Sequence, residues 1–399
     1  MGERKKPGDA VYNIMLNGCF RSGTTLLDKL LHAHPDIVMA SQPFPVLYFY
    51  LKEIFLNKKG INFRYPLDHM FNQRGYAHDD FMIFLDTYKI SDDDIDIIFE
   101  MMEQYTSGLQ TPQIKEYRKS IVPGTFLDVY QQFNDCLLTI FPNKNTPLYV
   151  GGKEAFVEEY APFLLKRGIK TIVIIRDPRD VVASVYNSVV EKYMGESRPL
   201  LFLLRAWRKS VALSLAYEDD PNFTWLTYED LVTKTSSTLD KITDFLRIAP
   251  FPENIFEKGI FNQDGVLWRG NSSYVRSLEL NSSSIGQFTD RLNEQVIGYI
   301  EHACYPEMRA LGYDFSLSSK YSIDALMSYQ EIFDVTHEKF YDCRNYSCSK
   351  QRVSDECRRR ELLLSDDVTL SDQEIKSWFV FTEAFYKLRY AISDGFKLA

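Results

Sequence analysis

Apolar and polar positions along the chain follow two rhythms, and the change from one to the other marks its elements. Val11–Leu16 is a short apolar run that enters a glycine-bounded segment, Gly18–Thr25, and is followed by leucines at positions 26, 27, 30 and 31. That leucine spacing is helical, so residues 11–34 read as strand, loop and helix, with Pro35 stopping the helix. A second unit begins at Leu148. Leu148–Val150 reads as a short strand and Tyr160–Arg167 as a helix. Lys170–Ile175 (KTIVII) is the continuous apolar run of a parallel strand buried on both faces. Asp177 precedes Pro178, an N-cap with proline at the first helical position, and the helix is expected to run through Val190. Phe223–Leu226 predicts one more strand and Ser237–Leu246 an amphipathic helix. Strands and helices in alternation predict an α/β fold, a central parallel sheet with helices on both faces.

Two stretches break this rhythm. Residues 43–147 are rich in Phe and Tyr, among them Phe44, Tyr48, Phe81 and Phe84. They predict a largely helical insert that covers one face of the sheet and lines a pocket, with most of its rings in the core. Residues 317–399 are polar and charge-dense, with Arg358-Arg359-Arg360 and a helix-like stretch from Asp372 to Tyr390. They predict a helical C-terminal extension after a main domain over 1–316. The extension is expected to pack back on the domain or to mediate self-association, as in a homodimer.

Composition narrows the partners. The chain has 399 residues, 45% hydrophobic and 14% aromatic, enough for a packed core. No run of about 18 apolar residues appears, which predicts no spanning helix and no membrane partner. The first residues carry charge and proline without a separate apolar signal core, so a cytoplasmic location is expected. The six cysteines match no CxxC pair and read as thiols in a reducing compartment. A net charge of −9 argues against nucleic acid and favours a neutral or cationic small molecule.

The chemistry-bearing signal starts at Gly18-Cys19-Phe20-Arg21-Ser22-Gly23-Thr24-Thr25. This is the GxxxxG frame of a phosphate-binding loop, placed between strand and helix as that motif requires. Amides of the loop and of the helix N-terminus can cradle a phosphate, because they lack partners within the helix. The lysine that reaches the β- and γ-phosphates in nucleotide triphosphatases is Thr24 here, and the nearest cation is Arg21. No apolar strand ends in a metal-binding aspartate. The loop therefore reads as built for an anionic group without Mg²⁺ and without any other metal, which leaves a kinase or triphosphatase as the weaker alternative. A second anion site is expected at Arg176, at the carboxyl edge of a buried strand, with Ser184 in the helix that follows. Local pairing of Arg176 with Asp177 or Asp180 is the competing reading.

Together, the glycine loop and the strand-Arg-Asp-Pro-Arg-Asp-x-x-x-Ser motif resemble the nucleotide motifs of sulfotransferases that use 3′-phosphoadenosine-5′-phosphosulfate (PAPS), bacterial-type and tyrosylprotein-sulfotransferase-like members among them. The resemblance covers residues 11–50 and 145–315. It implies that Arg21, Ser22, Gly23, Thr24, Thr25 and Leu26 hold the 5′-phosphosulfate, and Arg176 and Ser184 the 3′-phosphate. Tyr228 would lie near the adenine, and Asn271, Ser272 and Ser273 in a loop closing over the nucleotide. The implied reaction is sulfuryl transfer from PAPS to a hydroxyl or amine of a small-molecule acceptor, with adenosine 3′,5′-bisphosphate (PAP) as product. Arg21 and Lys153 would meet charge on the leaving group; pairing of Lys153 with Glu158 at the surface is the alternative. The position where tyrosylprotein sulfotransferases carry a glutamate base is Gln42. Since an amide cannot take a proton, Gln42 could only orient the acceptor or hold a water; Gln42 and Phe44 are assigned to the acceptor pocket, and His69, after Asp68, is the candidate base, with His78 or an acceptor that needs little help as the alternatives. The same Gln42 supports a rival reading as a catalytically idle nucleotide-binding module.

Overall fold

The computed structural model describes residues 11–60, 78–104, 111–142, 147–186, 200–253, 255–257, 259–268, 282–316, 323–327, 331–332, 350–365 and 370–393. Five strands form one sheet: β1 (Tyr12–Asn17), β2 (Ile37–Ser41), β3 (Tyr149–Lys153), β4 (Lys170–Ile175) and β5 (Phe223–Thr227). Their order is β2-β3-β1-β4-β5 and every pairing is parallel. The register sets Ser41 beside Lys153 and Lys153 beside Leu16, so β2, β3 and β1 finish level at the carboxyl edge. At Gly151 a Cβ would lie 1.7 Å from the Ile14 carbonyl oxygen, so only glycine fits there.

One face of the sheet carries α1 (Thr24–Ala33), α9 (Tyr228–Thr233) and α10 (Thr235–Leu246). Leu27, Leu30 and Leu31 of α1 bury against Ile14, Leu16, Ile172 and Ile174, as their spacing requires. The other face is covered in two parts. Over β2 and β3 lie α2 (Pro45–Lys58), α3 (His78–Thr87), α4 (Asp92–Gln104), α5 (Phe126–Ile140) and the short α6 (Ala161–Leu165). Rings of the insert fill this core: Phe44, Tyr48, Phe81 and Phe126 are fully buried. Over β4 and β5 lie α7 (Pro178–Tyr186), α8 (Leu200–Tyr217), α11 (Phe288–Arg291), α12 (Glu294–Ala303), α13 (Tyr305–Ala310), α14 (Ile323–Met327), α15 (Lys350–Leu364), α16 (Asp372–Phe379) and α17 (Thr382–Ser393).

Helices α15–α17 share this second core. Phe379, Phe385 and Leu388 are buried with Trp207 and Leu204 of α8. The carboxylate of Glu356 in α15 accepts from Arg205 Nε at 2.7 Å and from Arg208 Nη1 and Nη2 at 2.7 and 3.0 Å, all at buried positions. The stretch 372–390 is two helices, because Val380 takes a left-handed φ of 65° between them.

Other boundaries differ locally from the sequence pattern. β3 runs on through Gly151 and Gly152 to Lys153, where the missing side chains had hidden it. The helix expected from Tyr160 begins as a 3-10 turn over Glu158–Tyr160. Strand β2, fully buried, carried no separate signal because it follows the end of α1 by three residues. The expected helix end at residues 187–190 lies outside the described residues. No described helix is long and apolar enough to cross a membrane.

Candidate active site

The glycine loop leaves β1 at Asn17 and enters α1 at Thr24. Gly18 and Gly23 have φ values of 152° and 92°, and Arg21 between them is also left-handed at 66°. A Cβ at Gly23 would sit 2.5 Å from the Tyr228 ring, so the loop lies directly on that ring. Gly23 is the N-cap of α1 and no side chain caps the helix. The hydroxyl of Ser22 and the side-chain amide nitrogen of Asn17 are buried and have no hydrogen-bond partner among the described residues. Unpaired donors around an uncapped helix N-terminus are what an anion would satisfy.

The β4 edge supplies the second cation, and the neighbouring charges decide which arginine it is. Asp177 caps α7 by accepting from the Arg179 amide at 2.8 Å, and its carboxylate also accepts from Arg179 Nε at 3.0 Å and Nη2 at 2.6 Å. Glu301 takes Arg179 Nη1 at 2.5 Å. Arg179 is thus held by two carboxylates within the structure. Arg176 donates through Nη1 to the Arg21 carbonyl at 3.2 Å and through Nη2 to the Ser284 carbonyl, and its buried Nε has no partner among the described residues. Its guanidinium lies over the Tyr228 ring, 4.6 Å from the centroid. The rival pairing with Asp180 is loose: 3.9 Å, with that carboxylate also accepting from the amides of Gly286 and Phe288.

Arg21 joins the two motifs, donating through Nε to Ser184 Oγ at 2.9 Å. Arg21, Gly23, Arg176, Ser184 and Tyr228 therefore meet at one point of the sheet's carboxyl edge. Behind them, Glu229 accepts from the Asp177 amide at 3.0 Å and from the Tyr313 hydroxyl at 3.2 Å; burial pushes its carboxyl up to about 7.

Lys153 lies at the level end of β3, only 3% exposed. Its surface pairing with Glu158 does not occur: Glu158 is bonded to Lys209 at 3.0 Å and Ser210 at 2.6 Å beneath α8. Lys153 Nζ instead approaches Gln42 Oε1 at 3.5 Å, while the Gln42 amide donates to the Lys153 carbonyl at 2.8 Å. Gln42 is strained into φ 43° at the end of β2. Burial holds the Lys153 ammonium below the usual lysine range, against the opposing charges of Asp28 and Glu154. Phe44 packs in the aromatic core, stacked on Phe133 at 5.0 Å, and its backbone amide donates to Glu154 at 3.2 Å.

Four polar residues here had no role in the sequence reading. Glu154, directly after Lys153, is buried, and burial pushes its carboxyl well above the usual range. Asp28 and Lys29 pair at 3.4 Å on α1, and Gln263 closes over both: its amide nitrogen donates to Asp28 at 2.8 Å and its oxygen accepts from Lys29. These residues gave little signal, since a charged pair in a helical repeat reads as a solvated face. Beside them a cavity of about 220 Å³ opens, bounded by Thr25 of the glycine loop, Lys29, Gln113, Phe141, Asn262 and Trp268. The candidate base His69 and the loop residues Asn271, Ser272 and Ser273 lie outside the described residues. His78, the other histidine of the insert, is buried and bonded to the Glu159 carbonyl at 3.0 Å.

The sulfotransferase family model matches residues 13–253, more than half of the chain, and this range holds Arg21, Gln42, Lys153, Arg176, Ser184 and Tyr228. The chain belongs to the sulfotransferase family. A search of curated protein sequences finds no significant match. Among solved structures, this family member is similar to a sulfotransferase domain from the curacin biosynthetic pathway, at 17% identity over 77% of this chain and 99% of that one, with a TM-score of 0.43. It is also similar to a sulfotransferase domain from the Synechococcus PCC 7002 olefin synthase, at 15% identity over 82% and 96% and a TM-score of 0.34. A retinol dehydratase in complex with retinol and PAP matches at 17% identity over 74% and 81%, with a TM-score of 0.35.

Proposed function

We propose that this sulfotransferase uses PAPS as its donor and a hydroxyl or amine of a small molecule as its acceptor. The observation that carries the reading is the junction of Arg21, Ser184 and Arg176. It brings two anion-binding elements, the uncapped start of α1 and the edge of β4, together beside one ring, Tyr228. PAPS has two separate anionic groups on one adenosine and no γ-phosphate, which fits two cationic points and a loop without its lysine. The fit is supported by the orphaned Ser22 hydroxyl and Arg176 Nε, both buried and ready to donate.

In this reading Ser22, Thr24, Thr25 and the first amides of α1 hold the 5′ end, and Arg176 and Ser184 the 3′-phosphate. When bound, the donor supplies an activated sulfuryl group: the acceptor's oxygen or nitrogen bonds to sulfur as the bond to the bridging oxygen breaks, the electron pair stays with PAP, and the acceptor's proton passes to solvent. Arg21 and Lys153 set positive charge where that electron pair arrives. Preorganised donors of this kind act without reorganisation at the moment of reaction. A cytoplasmic setting and a neutral or cationic acceptor belong to the same proposal.

Isothermal titration tests it. PAP should bind with a marked preference over ATP–Mg²⁺, and EDTA should leave PAP binding unchanged. Preference for ATP–Mg²⁺ would reject the reading in favour of a kinase.

A further inference from the structure

We infer that the cavity beside Thr25 is the acceptor site and that its acceptor is a neutral, polyhydroxylated ring compound about the size of a single sugar. The inference rests on the donor reading above, because Thr25 is shared between the glycine loop and the cavity wall.

Size is the first argument. At about 220 Å³ the cavity falls below the roughly 300–1,000 Å³ of drug-sized sites, a volume that suits a single small ring. The chemistry of the lining is the second. Small-molecule pockets are mostly apolar, yet here Thr25, Lys29, Gln113 and Asn262 stand against two rings, Phe141 and Trp268. The side-chain amides of Gln113 and Asn262 are bonded to no described residue. A carboxamide both donates and accepts, and so does a hydroxyl. A carboxylate acceptor would use only half of each amide, and an ammonium only the other half. The two rings offer apolar faces to the C–H surface of a ring compound.

Charge is the third argument. Lys29 would otherwise select an anion, but Asp28 neutralises it at 3.4 Å and Gln263 is bonded to both. The pair contributes polarity without net charge, and Asp264, exposed on the same lining and accepting from the Val266 amide at 3.1 Å, adds a carboxylate that repels anions, so the acceptor is not anionic and the carboxamides favour a neutral one. The aromatic residues of the insert are largely spent in the core: Phe44, Tyr48, Phe81 and Phe126 are buried there and do not line this cavity.

The test uses the full chain with PAP bound, and a panel of methyl glycosides and inositols alongside 2-naphthol and tyramine. Binding is read by saturation-transfer NMR and titration, and sulfated product by mass spectrometry after PAPS is added. At least one polyol should bind and be sulfated in preference to 2-naphthol and tyramine. Gln113→Ala and Asn262→Ala should each weaken that polyol at least tenfold, since a site built to hydrogen-bond a hydroxyl discriminates strongly when the bond is lost. PAP affinity should remain that of the unaltered protein in both variants. If PAP binds but no polyol does, or if the phenol or amine is preferred and the two variants leave it unchanged, the acceptor inference is overturned while the donor reading stands. If PAP fails to bind, the donor reading falls, and the acceptor inference with it.

Discussion

Arg21 Nε donates to the Ser184 hydroxyl at 2.9 Å, across 163 positions of sequence. The bond ties the glycine loop to the helix after β4, and the backbone of the same arginine accepts from Arg176 at 3.2 Å. The loop therefore cannot shift without moving the β4 site, and a ligand held by both would find their separation already set. Preorganisation of this kind lowers the ordering cost of binding.

Lys153 gives the clearest separation of rate from affinity. It sits among β1, β2 and β3 where their ends are level, 3% exposed and beside Gln42. If its charge acts on the leaving group, its interaction is stronger in the transition state than in the ground state. Lys153→Met should lower kcat by about 10²–10³-fold, the range for removal of one oxyanion donor. The acceptor KM should change little. Steady-state kinetics that find kcat within a few-fold of the unaltered protein would remove Lys153 from the chemistry.

Glu154 predicts a pH dependence of stability. Burial pushes its carboxyl from 4.5 up to about 8 in the folded chain. Between those values the folded protein binds a proton that the unfolded chain has released. This contribution to stability is fully present below about pH 4.5 and is lost as pH rises through about 8. Urea unfolding at pH 5 and pH 8 should therefore show a smaller decline with pH for Glu154→Gln than for the unaltered protein, Lys153 being present in both. Equal declines would mean that Glu154 is ionised when folded.

Glu356 tests whether the C-terminal helices belong to the same folding unit. Its carboxylate is held well below the usual range, foremost by the Arg208 guanidinium and then by Arg205. Glu356→Gln keeps the shape and leaves those buried guanidinium groups without their counter-charge. Breaking a buried pair in this way costs about 3–5 kcal/mol. A single cooperative transition shifted by that amount is expected in urea unfolding. A loss below about 1 kcal/mol, or a separate early transition, would mean that α15 is an independent appendage.

Much of this was legible in the chain because local pattern and tertiary role agree. The Lys170–Ile175 run is apolar at every position from Ile172 on, and it became β4 with the expected boundaries. Gly23 and Arg176 stood out for the same reason: a glycine before a helix and an arginine after a buried strand have few other uses. Strand β2 was hidden because its apolar run, Ile37–Met39, is only three large residues long and follows the end of α1 closely, too short to stand apart from the helix. Asp28, Lys29 and Gln263 were hidden for a different reason. Their meaning lies in a contact between residues more than 230 positions apart, and a single sequence carries no trace of that.

Arg176 provides the most direct test of the two-site account. Arg179 is held by Asp177 and Glu301, whereas Arg176 keeps a buried Nε without a partner among the described residues at the junction with Arg21. Titration of Arg176→Ala with PAP and with 5′-AMP, with its melting curve checked against the unaltered protein, isolates the 3′-phosphate. The account predicts that PAP binding weakens by roughly 2–3 kcal/mol, within the range for hydrogen bonds to a charged group, while the weak binding of 5′-AMP barely changes. Equal losses for the two ligands in a folded variant would contradict it.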